Sequence, residues 1–367
     1  MLPPTPGGPG TFAALVAREL PMLGVEVTLV SYEEAKGGWG VRHLDLSRRV
    51  REAAAAREGE TGPAPILALD PGPVGYPAYR AARALGAKFF LRVAGDYAWE
   101  RARLSGRETR SLDEFAAGRA PLSPLLGVLW HLERFLARRA EKVIVPSGYL
   151  ARQVGRWGAA ADRVQVVANA YDGPRESAQS RAAARERWGI SGHAVVSAGR
   201  LVPWKHFPEL VGAVAAARRH LPDVELLIAG DGPERHAIEV AIDEARLAPH
   251  ARLVGNLSRE DLFTLLSAAD CFALNSSYEG QSHQILEAMA LEAPVVATDA
   301  GGNPDIVREG ETGWLVPTGN AAALAEAVVE CLEDNGEAKR RAVRAAALVE
   351  SMTPRRVAIE VVAALGL

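Results

Sequence analysis

Short runs of β-branched and apolar residues alternate with longer stretches of helical period along nearly the whole chain. In the first half, VEVTLVS (25–31), PILALD (65–70), KFFLRVAG (88–95), EKVIVPS (141–147) and VQVVAN (164–169) predict strands, and TFAALVAREL and LWHLERFLARRA predict helices between them. The second half repeats the pattern with HAVVSAGR (193–200), VELLIAGDG (224–232), ARLVGN (251–256), DCFALNSS (270–277) and APVVATDAGG (293–302). Near-continuous apolar strands joined by helices predict parallel sheets covered on both faces. The fold class expected is therefore α/β, with two Rossmann-like domains. Apolar periodicity stops in ANAYDGPRESAQS (168–180), which places the seam there. The domains expected are 1–172 and 173–352, followed by an apolar-faced final helix over 353–367.

One member of this pattern is missing. A Rossmann half opens with a strand that feeds a Gly-rich loop and a helix. PGGPGTFAALVAREL supplies loop and helix, but only Met1 and Leu2 precede Pro3-Pro4, and proline excludes a central strand there. The expectation is a first domain without its first strand, either because the chain starts downstream of it or because the sheet has lost it.

At 367 residues, 48% hydrophobic and 24% charged, the chain is long enough for two cores and too apolar for disorder. Cys271 and Cys331 lie in apolar stretches and read as buried thiols of a reducing compartment. With no leader pattern and no apolar run of 18, the expected location is the cytoplasm. The net charge of −3 hides an asymmetry: residues 1–172 carry 23 Lys+Arg against 18 Asp+Glu, and the remainder 19 against 27. A basic half suits an anionic membrane surface or an acidic substrate, although a plain solvated face would look the same.

In open parallel sheets ligands bind beyond the carboxyl ends of the strands, and the unusual residues cluster there. AGRLVPWKHF offers Arg200 and Lys205 after a turn at Gly199, two cations that suit a diphosphate or are simply solvated. IAGDGPER carries Gly230 and Gly232 in a tight turn before a helix whose N-terminus favours an anion. LVGNLSRED places Asn256 and Leu257 ahead of Ser258, an N-cap with Asp261 three residues on. SSYEGQSHQILEAMALEAPVV is the most specific piece: Glu279 sits beside Gly280 in a loop, and Gln281, Ser282 and His283 resemble a first helical turn. Glu287 is then set two turns into an otherwise apolar helix. An unpartnered carboxylate there would be costly, so it needs a donor, such as a sugar hydroxyl. PGGPGTF, including Gly8, could cradle phosphate, and Asp96 in VAGDYAW reads equally as a reactive carboxylate or an N-cap. No clustering of His, Cys or acids with metal-ligand spacing occurs, so no metal and no cofactor are expected.

With these motifs in order, the sequence resembles the retaining glycosyltransferases of family 4, which have the GT-B fold of two Rossmann-like domains facing a cleft. GRLVPWK, LLIAGDGPE, EGQSHQILEAMA, PVVATDAGGNPDIV and GETGWLVP carry the resemblance over 193–320, and GGPGTFAALVAREL carries it at the amino end. The resemblance implies a nucleoside-diphosphate sugar as donor substrate, held without metal. Arg200 and Lys205 would hold the diphosphate, Glu279 the sugar hydroxyls and Glu287 the ribose. Amides of Gly280, Gln281 and Ser282 would meet the β-phosphate, with Gly8 approaching from the first domain and Gly199, Gly230, Gly232, Asn256 and Leu257 completing the donor site. Many relatives have a histidine in the stretch where this chain has Gly95-Asp96, so Asp96 becomes the candidate catalytic substitute. The partners implied are the donor and a glycan, lipid-linked or small-molecule acceptor, with no nucleic acid. Contact with the inner membrane face would run through the basic first domain. In this fold the final helix crosses back to the first domain and makes the cleft a hinge. An epimerase or phosphorylase of the same fold, or a non-catalytic or truncated nucleotide-sugar-binding protein, stands as the alternative.

Overall fold

The computed structural model describes residues 8–56, 62–118 and 123–367. Two compact units emerge: residues through Ala170 together with Pro354–Leu367, and Tyr171–Thr353.

The first unit holds a parallel sheet of β1 (Ile66–Ala68), β2 (Phe89–Arg92), β3 (Val143–Val145) and β4 (Val164–Val166), in that spatial order. Each strand steps one place outward from its predecessor, which is one wing of a doubly wound sheet. β2 and β3 are buried at every position, as strands covered on both faces must be. Residues 25–31, expected as a strand, are not one. They join no ladder among the described residues, although Val25 and Val27 rest against the core. A strand is defined by its neighbour, and β-propensity alone supplies none. The Pro-rich residues ahead of Gly8, where the missing strand was expected, lie outside the described residues.

The helix Gly8–Glu19 covers this sheet with Phe12, Leu15 and Val16, and the final helix Pro354–Leu365 packs beside it through Val357, Val361 and Leu365. The chain's last helix thus completes the core of its first unit.

The second unit is built on six parallel strands: β5 (Ala194–Ala198), β6 (Glu225–Ala229), β7 (Ala251–Gly255), β8 (Cys271–Leu274), β9 (Val295–Thr298) and β10 (Trp314–Val316). Their spatial order is β10-β9-β8-β5-β6-β7. The chain lays β5, β6 and β7 in one direction, then returns to place β8, β9 and β10 on the other side. β5 therefore pairs with β8, Val195 opposite Cys271, and the winding reverses between them. β10 escaped the sequence reading because WLV is three residues long between turn residues, too short for a period. Cys271 and Cys331 are both buried free thiols, as their apolar settings predicted. Among the described residues no helix is long and apolar enough to cross a membrane.

Val361 is 0% exposed within the first unit's core. Val361→Asp buries an unpaired carboxylate there and is expected to destabilise that unit by several kcal/mol. Hydrogen exchange should then accelerate in β1–β4 while β5–β10 keep wild-type protection. Equal acceleration in both units would remove the final helix from the first.

Candidate active site

Crevices form where the winding of a parallel sheet reverses, because the loops leaving the two central strands diverge there. In the second unit those loops follow β5 and β8, and they carry the most specific motifs of the sequence. They are stitched together: Ser277 N donates to Trp204 O at 2.8 Å, and Asn275 Nδ2 donates to His206 O at 3.1 Å. Between them Lys205 Nζ donates to Glu279 Oε1 at 2.5 Å, and Ser276 Oγ donates to the same oxygen at 2.6 Å. Lys205 is 7% exposed and Glu279 8%, so two opposite charges 74 residues apart are buried as a pair. Sequence reasoning had assigned them to separate parts of a ligand; in this structure they hold each other. Arg200 is exposed, with its guanidinium 5.4 Å from the centroid of the buried Trp204 ring.

Gly301 holds the pair in position from below. Its φ is +58°, and a Cβ there would lie 2.0 Å from the carbonyl oxygen of Glu279, so no other residue fits without moving that backbone. Gly302 N donates to the same carbonyl at 2.9 Å. Gly230 and Gly232 have a comparable role. Added Cβ atoms would meet Gly199 O at 1.9 Å and Leu201 O at 2.3 Å, so the close backbone approach these glycines permit is to the neighbouring loop. Leu201 N donates to Asp231 O, and Gly230 N to Gly255 O, extending the β5-β6-β7 ladder beyond its strands. Asn256, exposed, and Leu257, part-buried, follow immediately. Ser258 caps the next helix through Asp261 N, as read from the sequence.

The helix after β8 runs His283–Ala290 with Ser282 as its N-cap, Ser282 Oγ accepting from Ile285 N. It begins later than the sequence suggested, so Glu287 stands just over one turn in rather than two. Gly280 and Gln281 lie immediately ahead of the cap, where the amides of a first turn have no intrahelical partner. Glu287 is part-buried, but its Oε2 is enclosed with no hydrogen-bond partner. Burial pushes its carboxyl from 4.5 up to about 7, and the Arg259 charge only partly offsets this. The second glutamate therefore has an enclosed oxygen without a hydrogen-bond partner, which the first does not.

In the first unit, Asp96 follows β2 and caps the helix Tyr97–Leu104, its Oδ1 accepting from Trp99 N at 2.8 Å. It is 0% exposed; the N-cap reading is seen, and its other oxygen, Oδ2, is enclosed with no hydrogen-bond partner. Glu133, unnoticed in the sequence, joins it by accepting from Tyr97 N at 2.7 Å. Burial raises both carboxyls, Asp96 to about 6 and Glu133 well above its usual range, where the neighbouring Asp96 charge adds to the effect. Gly8 lies in the helix Gly8–Glu19 rather than in a loop, and Pro6 and Gly7 lie outside the described residues.

Residues 180–348 match the family model of the Glycosyl transferases group 1, and residues 7–170 match that of the Glycosyl transferase 4-like domain. The chain is built from these two glycosyltransferase domains. It is 33% identical over 169 residues to the alpha-D-kanosaminyltransferase of Streptomyces kanamyceticus, covering 46% of this chain and 44% of that one. It is 32% identical to the GDP-mannose-dependent alpha-mannosyltransferase of Mycolicibacterium smegmatis, covering 59% and 56%. The chain thus spans about half the length of these curated relatives. The crystal structure of Anabaena Alr3699/HepE in complex with UDP-glucose superposes with a TM-score of 0.79 at 20% identity, over 100% of this chain and 98% of that one. The fold is GT-B.

Sequence reasoning singled out Lys205, Glu279 and Glu287 of the group 1 domain; it placed Asn275 to Gly280 and Gly301-Gly302 at the ligand edge as well, but gave Ser276 and Gly301 no role, because their motif positions look like ordinary turn chemistry. Among the described residues no three His, Cys, Asp or Glu side chains gather as a metal would require.

Glu287 makes the group 1 domain sensitive to pH. The folded form keeps its proton up to about 7 and the unfolded form loses it near 4.5, so the folded state binds more protons between those values. Stability then falls as pH rises through that window. Glu287→Gln, which carries no charge to bury, is expected to gain about 1–3 kcal/mol on the wild type between pH 5 and pH 8. Parallel melting curves across that range would mean that the carboxyl is solvated.

Proposed function

We propose that the chain is a hexosyltransferase that moves a sugar from a nucleoside-diphosphate sugar to an acceptor hydroxyl, with retention at the anomeric carbon and without a metal ion. The buried Lys205–Glu279 pair at the switch point carries this reading, because it sets a cation and a carboxylate beside the start of the helix His283–Ala290. A diphosphate entering there competes with Glu279 for Lys205. Arg200, the amides of Gly280, Gln281 and Ser282 and the helix dipole add to the positive field. Glu279, released from Lys205, accepts hydroxyls of the transferred sugar. The unpartnered Oε2 of Glu287 accepts a ribose hydroxyl, and Gly199, Asn256 and Leu257 border the nucleotide. HepE is crystallised in complex with UDP and with UDP-glucose, and the mannosyltransferase relative is GDP-mannose-dependent, which supports a nucleotide-sugar and leaves the base open.

In the transfer itself the bond from the anomeric carbon to the diphosphate oxygen breaks. A bond to the acceptor oxygen forms on the same face, and the acceptor's proton passes to the departing phosphate. Arg200, Lys205 and the helix N-terminus stabilise the charge that develops on that phosphate, the work a metal would otherwise do. The 4-like domain receives the acceptor, a glycan, a lipid-linked molecule or a small molecule. Its basic balance and the exposed Val41, Leu44, Leu125 and Val128 suit contact with an anionic membrane from the cytoplasmic side. Binding to anionic vesicles at low salt should exceed binding to neutral ones, and equal binding would remove the membrane from this reading.

The deciding experiment is a thermal titration of the full chain, without metal, against UDP, GDP, ADP and their sugar conjugates. A true donor at 100 times its dissociation constant adds about 2.7 kcal/mol to the folded state. Lys205→Ala should then lower turnover by about 10²–10³ while keeping a cooperative melt. Unchanged turnover in that variant, or no nucleotide shifting the wild type, would refute the assignment.

A further inference from the structure

Arg92 ends β2, a strand that is otherwise apolar, and it is 1% exposed. Its Nη2 donates to Asn169 Oδ1 at 3.0 Å, and its guanidinium carbon lies 4.0 Å from the centroid of the Phe12 ring. Nε and Nη1 are fully enclosed and have no hydrogen-bond partner. Among the described residues no carboxylate is within ion-pair distance. Burial lowers the guanidinium's pKa to about 10, which leaves it charged at neutral pH. A buried cation with two unmet donors is a costly arrangement to keep.

Its location gives those donors a purpose. Arg92 lies at the carboxyl edge of the sheet, where ligands of this architecture bind. Phe12, which it faces, is one turn into the helix Gly8–Glu19. That helix has no acidic residue in its first turn to offset its dipole. The opposite charge acting on Arg92 is that of Asp70, after β1, whose carboxylate accepts from Gly72 N at 2.6 Å rather than from the guanidinium. Burial pushes Asp70 up to about 6, so its opposition to an incoming anion weakens in mildly acidic solution.

We propose that Arg92 and the amino end of the Gly8–Glu19 helix form a subsite for an anionic group, a carboxylate, phosphate or sulfate, carried by the acceptor. Nε–H and Nη1–H donate to that group while Asn169 keeps Nη2. The Phe12 ring, which packs in the core and faces the guanidinium, shifts to admit it. This deepens the proposed function and rests on the 4-like domain being the acceptor side.

The test melts the full chain in sodium phosphate, sulfate or acetate against chloride at matched ionic strength, comparing wild type with Arg92→Met and Arg92→Lys. At least one anion should stabilise the wild type saturably, and which one responds identifies the group. Its apparent affinity should weaken at least tenfold in Arg92→Met and less in Arg92→Lys, which keeps the charge but not the planar donors. General salting effects act on all three proteins alike and cancel. An identical response in wild type and Arg92→Met would overturn the subsite and leave enclosed water as the partner of those donors. Should Arg92→Met not fold, an identical response in wild type and Arg92→Lys overturns it. The nucleotide-sugar shift of the group 1 domain should persist in both variants. Its persistence alongside a failed anion response would sink the subsite alone, whereas its absence from the wild type would sink the proposed function.

Discussion

A lysine and a glutamate buried against each other, one on each loop of the sheet's reversal, hold the group 1 domain's site in shape before any ligand arrives. Such a pair is a poor source of stability, because the two desolvation penalties roughly cancel the attraction. It is a strong constraint on geometry. Losing either partner leaves the other charge enclosed, so the loops after β5 and β8 must keep their register. The surrounding details serve the same end: Ser276 saturates the shared oxygen, Gly301 lets the Glu279 backbone sit where a side chain would collide, and Trp204 and Ser277 join the loops. A pair poised near balance is also one that a diphosphate can exchange into. On the proposed reading, Lys205 would exchange the carboxylate for the diphosphate and Glu279 would turn to the sugar hydroxyls.

The 4-like domain handles buried charge differently. Asp96 and Glu133 crowd two carboxyls against the amides that open one helix, and the pair keeps a proton at a pH where free carboxyls have lost it. Arg92, on the same sheet edge, keeps a cation without an anion. Neither resembles the satisfied pair of the group 1 domain. The 4-like domain's sheet edge thus keeps unmet donors and acceptors, whereas in the group 1 domain Lys205 and Glu279 meet each other and Glu287 keeps an enclosed unpartnered oxygen.

How much of this was legible in the sequence follows from how local each feature is. Nine of the ten strands among the described residues appeared as apolar runs, most plainly those such as β2, β3, β5, β8 and β9 that are buried at every position. The tenth, Trp314–Val316, was too short, and residues 25–31 had every local mark of a strand and no partner. Ser258 and its helix were readable because an N-cap is three residues wide. Lys205 and Glu279 were readable as candidates, since each stands in a motif, but not as a pair, since 74 residues separate them. Glu133 was invisible. Nothing in LWHLERFLARRA distinguishes a carboxylate that folds back onto Tyr97 N from one that faces water. Arg92 left one sign, a charge in FFLRVAG, which an apolar-run reading absorbs without question.

The two glutamates eight residues apart end with opposite characters for a reason rooted in backbone position. Glu279 lies ahead of the helix, where the chain can bend it back toward Lys205 and Ser276, and both donors are met. Glu287 lies inside the helix, where its own backbone amide is committed to the helical ladder and its side chain must find donors elsewhere. Arg259 is close enough to act on its charge but does not hydrogen-bond Oε2, and burial raises the carboxyl toward neutrality. A ligand offering hydroxyl donors would draw Glu287 back to its ionised form and release its proton. Affinity for a nucleotide-sugar should therefore rise with pH up to about 7, in opposition to the stability of the empty domain, which falls over the same range. One carboxylate is thus partnered within the protein, and the other is left enclosed with an oxygen no donor reaches.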